Sequence, residues 1–474
     1  MSEEQTDSIK KEEKVIELYA THKKIHPKWV KGRFANLRIL TVLITQLVYF
    51  GLPWLNWNNR QAFLLEIATR KFYIFGLTIW PQDLFYLSGL LICCALGLFW
   101  WTTIAGRLWC GYACPQTVYS EIMIWFDRLF EGDRPQRIKL DKSPISSRKI
   151  LIKISKYCAI ILFCFWTGFT FVGYFTPIKS LWVDLIHLNL SSYAIIALTL
   201  YAVFTFMLGH ILREQVCKYM CPYARFQSAM FDIDTLIISY DTERGEPRGK
   251  RKKGVDYKAE GKGECIDCTM CVQVCPVGID IRNGLQYECI GCAACIDVCD
   301  EVMDKMNYPR GLIRYTTEAA LEKKYPESKI LTRLKRPRVL GYGIVLFVVL
   351  SVVLYSLATR LPFKVNVIKD PSVVVRENNQ GWLENTYTFK IMNTTEAPQK
   401  FSVSVNGFKQ INLDGAPEII QLEPESSLSL PVRVSTPREN APAGKHPIKF
   451  TFKLLDQAEP VILEQSSSFI GEDE

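Results

Sequence analysis

Eight of the sixteen cysteines lie in one stretch of thirty-five residues, as C-I-D-C-T-M-C-V-Q-V-C-P from Cys265 and C-I-G-C-A-A-C-I-D-V-C from Cys289. Both runs have the spacing C-x2-C-x2-C-x3-C. Three closely spaced thiolates followed by a fourth suit a [4Fe–4S] cube that takes three cysteines from one run and the last from the other. On that pattern Cys265, Cys268, Cys271 and Cys299 hold one cluster, and Cys289, Cys292, Cys295 and Cys275 hold the second. Zinc also accepts four thiolates, but its sites usually pair two C-x2-C knuckles across a longer loop. The near-duplication of the halves favours two clusters over zinc or a disulfide framework. Pro276 closes the first run, whereas Asp300 stands at the matching place in the second, which alters loop geometry and leaves the ligands intact.

A different cysteine pair is used twice. W-C-G-Y-A-C-P-Q contains Cys110 and Cys114, and V-C-K-Y-M-C-P-Y contains Cys217 and Cys221; both are C-x-Y-x-C-P, each shortly after an apolar run. Two copies at one depth bring four thiolates together, and thiolates select Cu(I), zinc or an iron–sulfur cluster. Cysteines at i and i+4 of a helix share a face, which suits joint ligation. The plainer reading makes them small residues at helix ends, with Pro115 and Pro222 as helix breakers. Repetition at the same topological place favours the metal or redox role, with copper or a further redox centre as occupant. His210, seven residues before Cys217, is a candidate haem or copper ligand, or else a structural helix-end residue. Cys93, Cys94, Cys158 and Cys164 fall inside apolar runs, where cysteine packs as a small hydrophobe.

The elements that must position these residues are membrane spans. Of 474 residues 49% are hydrophobic, yet the mean hydropathy is only +0.06, the signature of apolar spans diluted by polar domains. Five runs are long enough to cross a hydrocarbon core: Ile39–Trp57, Leu84–Ala105, Cys158–Thr176, Tyr193–Leu212 and Val339–Ala358. Phe72–Trp80 is apolar but short and follows Arg70 and Lys71, so it reads as interfacial. Lys and Arg number nine before the first span, three in the next loop, ten in 106–157 and one after the third span; 213–338 is again basic. By the positive-inside rule the N-terminus, 106–157 and 213–338 face the cytoplasm and the C-terminal part the periplasm of a bacterial inner membrane. The first 38 residues show no secretory leader.

The expected organisation is therefore a multi-domain membrane protein. Residues 1–38 form a cytoplasmic segment, 39–212 a four-helix region with the duplicated C-x3-C-P motifs, and 213–338 a cytoplasmic segment whose ferredoxin-like core is 255–305. A fifth span, 339–358, leads to an all-β domain, 359–474. Short strand-like runs at Thr386–Met392, Phe401–Val405, Leu428–Val434 and Pro447–Leu454 predict an immunoglobulin-like antiparallel sandwich. It has no cysteine and one histidine, His446, which suits docking better than redox work. The net charge of +9 lies beside the spans, and the basic run Arg248–Lys262 suits anionic lipid headgroups. Nothing there resembles a nucleic-acid reading motif.

Taken together, the paired C-x-Y-x-C-P motifs, the two-cluster insert, the G-L-I-R-Y stretch at Gly311–Tyr315, one more span and an all-β end resemble the cytochrome c oxidase accessory protein family of the CcoG/FixG type. The resemblance covers nearly the whole chain. It implies a membrane iron–sulfur oxidoreductase acting in assembly of the cbb-type cytochrome c oxidase, reducing Cu(II) to Cu(I) for copper insertion. Implied partners are that oxidase or its copper-delivery proteins, a cytoplasmic electron donor and membrane lipid. A quinol-linked electron conduit is a competing reading, though paired histidines within the spans are lacking. A scaffold with purely structural clusters is another.

Overall fold

The computed structural model describes residues 25–472 except 255–256, 258, 327–328, 371–374, 379 and 457–460, so most of the expected segment 1–38 lies outside the described residues. Five helices are long and apolar enough to cross a bilayer: Arg33–Trp54, Pro81–Ala105, Ser147–Val172, Ser192–Gln227 and Pro337–Ala358. They match the five expected spans in number and place but not in their bounds. Every one begins earlier than its apolar run, and at the third and fourth a serine cap, Ser146 or Ser191, sets the start. The third begins eleven residues before Cys158, where the Ser146 hydroxyl accepts the Lys149 N–H at 3.3 Å. Its first turns carry Lys149, Lys153 and Lys156. The fourth does not stop at Leu212 but runs on to Met220 through two π-turn segments, Met207–Leu212 and Val216–Met220, and after an extended residue at Cys221 a further helix, Pro222–Met230, follows. Leu47, Leu91, Leu162, Ile196 and Phe347 lie exposed on the helix surfaces, as lipid-facing side chains must.

Between the first two spans the stretch expected to be interfacial, Phe72–Trp80, does not span and is largely β-structure. Phe63–Glu66, Lys71–Ile74 and Leu77–Ile79 form an antiparallel meander, with Phe72 opposite both Leu65 and Ile79. Its aromatic and β-branched residues, among them Phe72, Tyr73, Ile74 and Ile79, suit strands. Segment 106–157 also gains structure beyond a loop, in helices Pro115–Glu131 and Arg134–Lys142.

A buried ion cluster ties Pro115–Glu131 to the third and fourth spans. Asp127 meets Arg137 at 2.7 Å, Lys156 at 3.3 Å and Arg213, while Glu131 meets Lys153 and Lys156 at 2.7 Å each. Burial works to raise the Asp127 carboxyl, but Arg213, Arg137 and Lys156 outweigh it and hold it well below the usual carboxylate range.

The two ends of the helical part carry different modules. At one end, helices Met270–Val274 and Ala294–Met306 pack beneath an antiparallel strand pair, Ile237–Tyr240 with Ile313–Thr316. At the other, Trp382–Asn393, Ser427–Pro437, Phe363–Lys369 and Asn412–Asp414 form one sheet, with Arg376–Glu377 at its edge. Gln399–Asn406, Gly444–Leu454, Ile462–Gly471 and Ile420–Leu422 form the facing sheet. All four expected strand runs lie inside these elements. Burial alternates along Trp382–Asn393, and Phe389 meets Phe450 and Phe452 edge to face at 4.9 and 5.2 Å in the core.

Candidate iron–sulfur centres and the membrane thiols

Two separate cavities lie in the cysteine-rich module. One is lined by Cys265, Cys268, Cys271 and Cys299, with Tyr240, Met303 and Ile313 over it. The other is lined by Cys275, Cys289, Cys292 and Cys295, with Cys271 at its edge and Ile238, Val277 and Ile281 around it. The fold thus groups the eight thiols by the crossed pattern, three from one run and the fourth from the other. The strand pair that roofs both cavities lies outside the 255–305 core.

The two runs repeat each other in backbone as well as in spacing. Asp267 and Gly291 occupy the same place in their runs with φ 51° and 71°, and Thr269 and Ala293 the next such place with φ 56° and 59°. Left-handed residues at these points curl the chain into a concave nest whose amides can serve an anionic centre. The Cys275 sulfur accepts the amides of Ile279, Val277 and Gly278, yet burial still pushes its thiol up to about 11. Burial likewise pushes Cys271 and Cys289 up to about 12. Such thiols stay protonated near neutral pH unless a cation replaces the proton, which is what a metal centre does. No disulfide joins any of the sixteen cysteines. Among the described residues, no three Cys, His, Asp or Glu side chains converge on a point suited to a single ion. Thiols that surround a cavity, with amides aimed at sulfur, fit a cluster better than a zinc ion.

The four thiols of the repeated motif also come together. Cys110 lies within electrostatic range of Cys114 and Cys221, and Cys217 within range of all three others. The expected i, i+4 helical face is not how this happens. Cys114 and Cys221 are extended cap residues, and Pro115 and Pro222 are the first residues of the helices that follow. The prolines start helices instead of breaking them, in keeping with their fixed φ and missing N–H. Cys217 sits inside the extended fourth helix. Gln227, fully buried, turns its amide to the Cys110 sulfur at 3.5 Å. His210 stands apart, against the rings of Tyr157 and Phe206 at 5.5 and 5.4 Å, and among the described residues it joins no group of three ligands.

What joins the two cysteine sets is backbone. A Cβ on Gly111 would lie 2.7 Å from the Gly291 carbonyl oxygen and 2.9 Å from the Cys292 Cα. Gly111 and Gly291 therefore let Cys110 and Cys292 approach as closely as main chains allow. The junction is held from three sides. Arg38 of the first span donates to the Cys292 carbonyl at 2.7 Å, and Tyr315 donates to the Gly291 carbonyl at 2.7 Å. Asp297 caps the first span, accepting the Phe34 and Ala35 amides at 3.2 and 2.7 Å. Cys110 and Cys217 pack into the same apolar cluster as Cys275 and Cys292. The cavity holding Cys275, Cys289, Cys292 and Cys295 is thus proximal to the membrane thiols, and the other is distal. Sequence reasoning missed Arg38, Arg107, Asp297 and Gln227, whose roles rest on long-range contacts. It could have flagged the glycines beside ligand cysteines, in C-G-Y and C-I-G-C.

Comparison with known proteins agrees with this layout. Family profiles described as a 4Fe-4S dicluster domain, a 4Fe-4S binding domain and an IG-like fold at the C-terminal of FixG match residues 212–318, 87–132 and 353–472. The nitrogen fixation protein FixG of Rhizobium meliloti is 35% identical, with 89% of this chain and 88% of that protein aligned. Protein RdxB of Cereibacter sphaeroides is 39% identical over 86% of this chain and 87% of its own length. A crystal structure of a FixG-related protein from Vibrio parahaemolyticus aligns with 24% of this chain and 98% of its own, at 27% identity and a TM-score of 0.20. With five apolar helices, iron–sulfur modules and an immunoglobulin-like end in this order, the chain belongs to the FixG-type family of membrane iron–sulfur electron-transfer proteins.

Proposed function

We propose that the chain carries single electrons from a donor at the distal cavity, through the proximal one, to the four membrane thiols, and there reduces Cu(II) to Cu(I) for assembly of a cbb-type cytochrome c oxidase. The observation that carries the relay is the Gly111 contact with Gly291 and Cys292, which brings the main chains of the two cysteine sets together. Clusters bound by the eight cysteines supply one-electron carriage. The chain's own part is placement: Cys268 is exposed, where a soluble donor can reach it, while Cys292 is buried against the membrane helices.

Copper enters this reading as substrate. Cupric ion gains one electron, and thiolates favour the softer cuprous product. Cys110, Cys114, Cys217 and Cys221 are the proposed holders, with Gln227 polarising Cys110; the four are neighbours but not yet converged on one point, so copper would have to draw them together. Burial first, then the neighbouring Cys114, pushes the Cys110 thiol up to about 11, so ion binding there releases a proton and tightens as pH rises. The Lys/Arg alternation supports a cluster module on the cytoplasmic side and a sandwich in the periplasm, where it would dock the oxidase or its copper carriers.

One observation favours a second occupant. The profile spanning Cys110 and Cys114 is that of a 4Fe-4S binding domain, so the four thiols would hold a further cluster. Iron analysis separates the two: about eight iron atoms per chain for two clusters, about twelve for three. Purified protein assayed with Cu(II), and in parallel with a quinol, tests the function. Reduction of Cu(II) that falls in Cys110→Ser and Cys217→Ser variants supports it. Unchanged reduction removes the thiols from the path, and activity with quinol alone favours the conduit.

A further inference from the structure

The two cavities differ in the charge set around them. At the distal cavity the lining arginine is outnumbered by carboxylates, although it remains the largest charge acting on the Cys271 thiol. Arg282 grips Asp280 through two hydrogen bonds of 2.8 and 2.7 Å and meets Asp267 at 2.6 Å. Asp300, next to Cys299, adds a further negative charge felt by that thiol. At the proximal cavity the cations keep their charge. Arg38 donates to the Cys292 carbonyl at 2.7 Å and Arg107 to the Ala224 carbonyl at 2.5 Å, both from buried positions. Among the described residues neither guanidinium forms an ion pair; the carboxylates that act on Arg38, Glu121 and Asp297, do so at longer range. Asp297 is itself committed to the first span's N-terminus. Arg107 acts on Cys289 of the proximal set and on Cys110 and Cys217 of the membrane set, so its charge sits between the two.

Reduction adds one negative charge to a centre, so a nearby cation raises its potential and carboxylates lower it. Deep burial of the proximal cavity opposes an added charge, but the same low dielectric enlarges the pull of a guanidinium placed there. The charged groups and not depth differ in sign between the cavities.

We infer that Arg38 and Arg107 make the proximal centre the more easily reduced of the two, so that electrons run downhill from the distal cavity toward the membrane thiols. The direction of transfer is then written into two arginines, which act as positioning and tuning residues and touch no substrate. This rests on the relay proposed above and adds its polarity.

The test is a redox titration of the full-length protein in detergent, followed by the spectra of the reduced clusters, with iron content checked in each sample. Wild type should show two components. Arg107→Gln and Arg38→Gln should each lower only the upper one, by about tenfold in reduced-to-oxidised ratio at fixed potential, which is about 59 mV for one electron. Arg107→Lys should restore it, which a purely structural role for the side chain would not predict. Asp267→Asn, at the surface, should raise only the lower component. Iron-loaded arginine variants that shift the lower component, or neither, overturn the inference. Should the arginine variants fail to load iron, Asp267→Asn decides alone, and a shift of the upper component or no shift overturns it. Failure of the relay looks different: the two components respond as stated, but the membrane thiols never receive the electron.

Discussion

The helical part is gripped at both ends, but by different means. At the sandwich end the joints are side-chain ion pairs. Glu425 holds Arg60 at 2.7 Å and Thr78 at 2.5 Å, Glu396 accepts from Trp57 and Asn58 at 3.0 and 2.7 Å, and Asp83 takes Arg360 at 2.6 Å and also Lys364. At the cluster end the joint is main chain on main chain, reinforced by a carboxylate cap and an arginine aimed at a carbonyl. Long side chains tolerate small shifts and hold a domain in place. Touching backbones fix a separation, which is what electron transfer between centres requires. The difference is in keeping with the proposed division, docking at one end and transfer at the other.

Three substitutions probe that contrast, and the largest effect belongs beneath the cluster end. Asp127→Asn leaves Arg137, Lys156 and Arg213 buried without their shared anion and should cost about 3–5 kcal/mol in thermal unfolding. Because the Asp127 carboxyl is held low in the folded chain, its contribution is present above the ordinary carboxylate pKa and is lost as pH falls through the lowered folded value. Wild type should therefore lose stability below about pH 4, and the variant should lose less over the same range. An equal loss in both would place the acid sensitivity elsewhere.

Next in size, Gly111→Ala forces a methyl against Gly291 and Cys292 and should cost about 1–3 kcal/mol. The effect should appear as separation of the cluster module from the helices, read by limited proteolysis with the iron still bound. Wild-type protection would mean that the contact is loose and the contrast is wrong.

The smallest change comes from the sandwich end. Glu425→Gln should cost at most about 1 kcal/mol, since Arg60 and Glu425 are partly exposed, and the difference should shrink in high salt. A loss larger than that of Gly111→Ala would invert the comparison.

Much of this arrangement is legible in the sequence, and the parts that are not share a physical cause. The eight cluster cysteines are readable because ligand spacing is local, and the five spans because hydropathy is local. The sandwich strands are readable where alternation is strong, as in Thr386–Met392. Ile462–Gly471 and Phe363–Lys369 fall outside the four expected runs although both pair along their length. Span starts are missed because polar capping residues such as Ser146 begin them. The strands within Phe72–Trp80 go unseen because a short apolar run has the same composition whether or not it pairs. Arg107, which marks the end of the second span in the sequence, proves to be the cation between the two thiol sets. The pairing of Gly111 with Gly291 spans 180 residues, and no periodicity encodes it.

The central claim is that electrons leave the proximal centre through the membrane thiols. Protein with its clusters reduced in advance is mixed with Cu(II), and cluster reoxidation is followed optically through a single turnover, alongside a Cys110→Ser, Cys217→Ser variant with the same cluster iron. The account predicts rapid reoxidation in the wild type, with one Cu(I) formed per electron lost, and clusters that stay reduced in the variant. Equal rates in the two would contradict it.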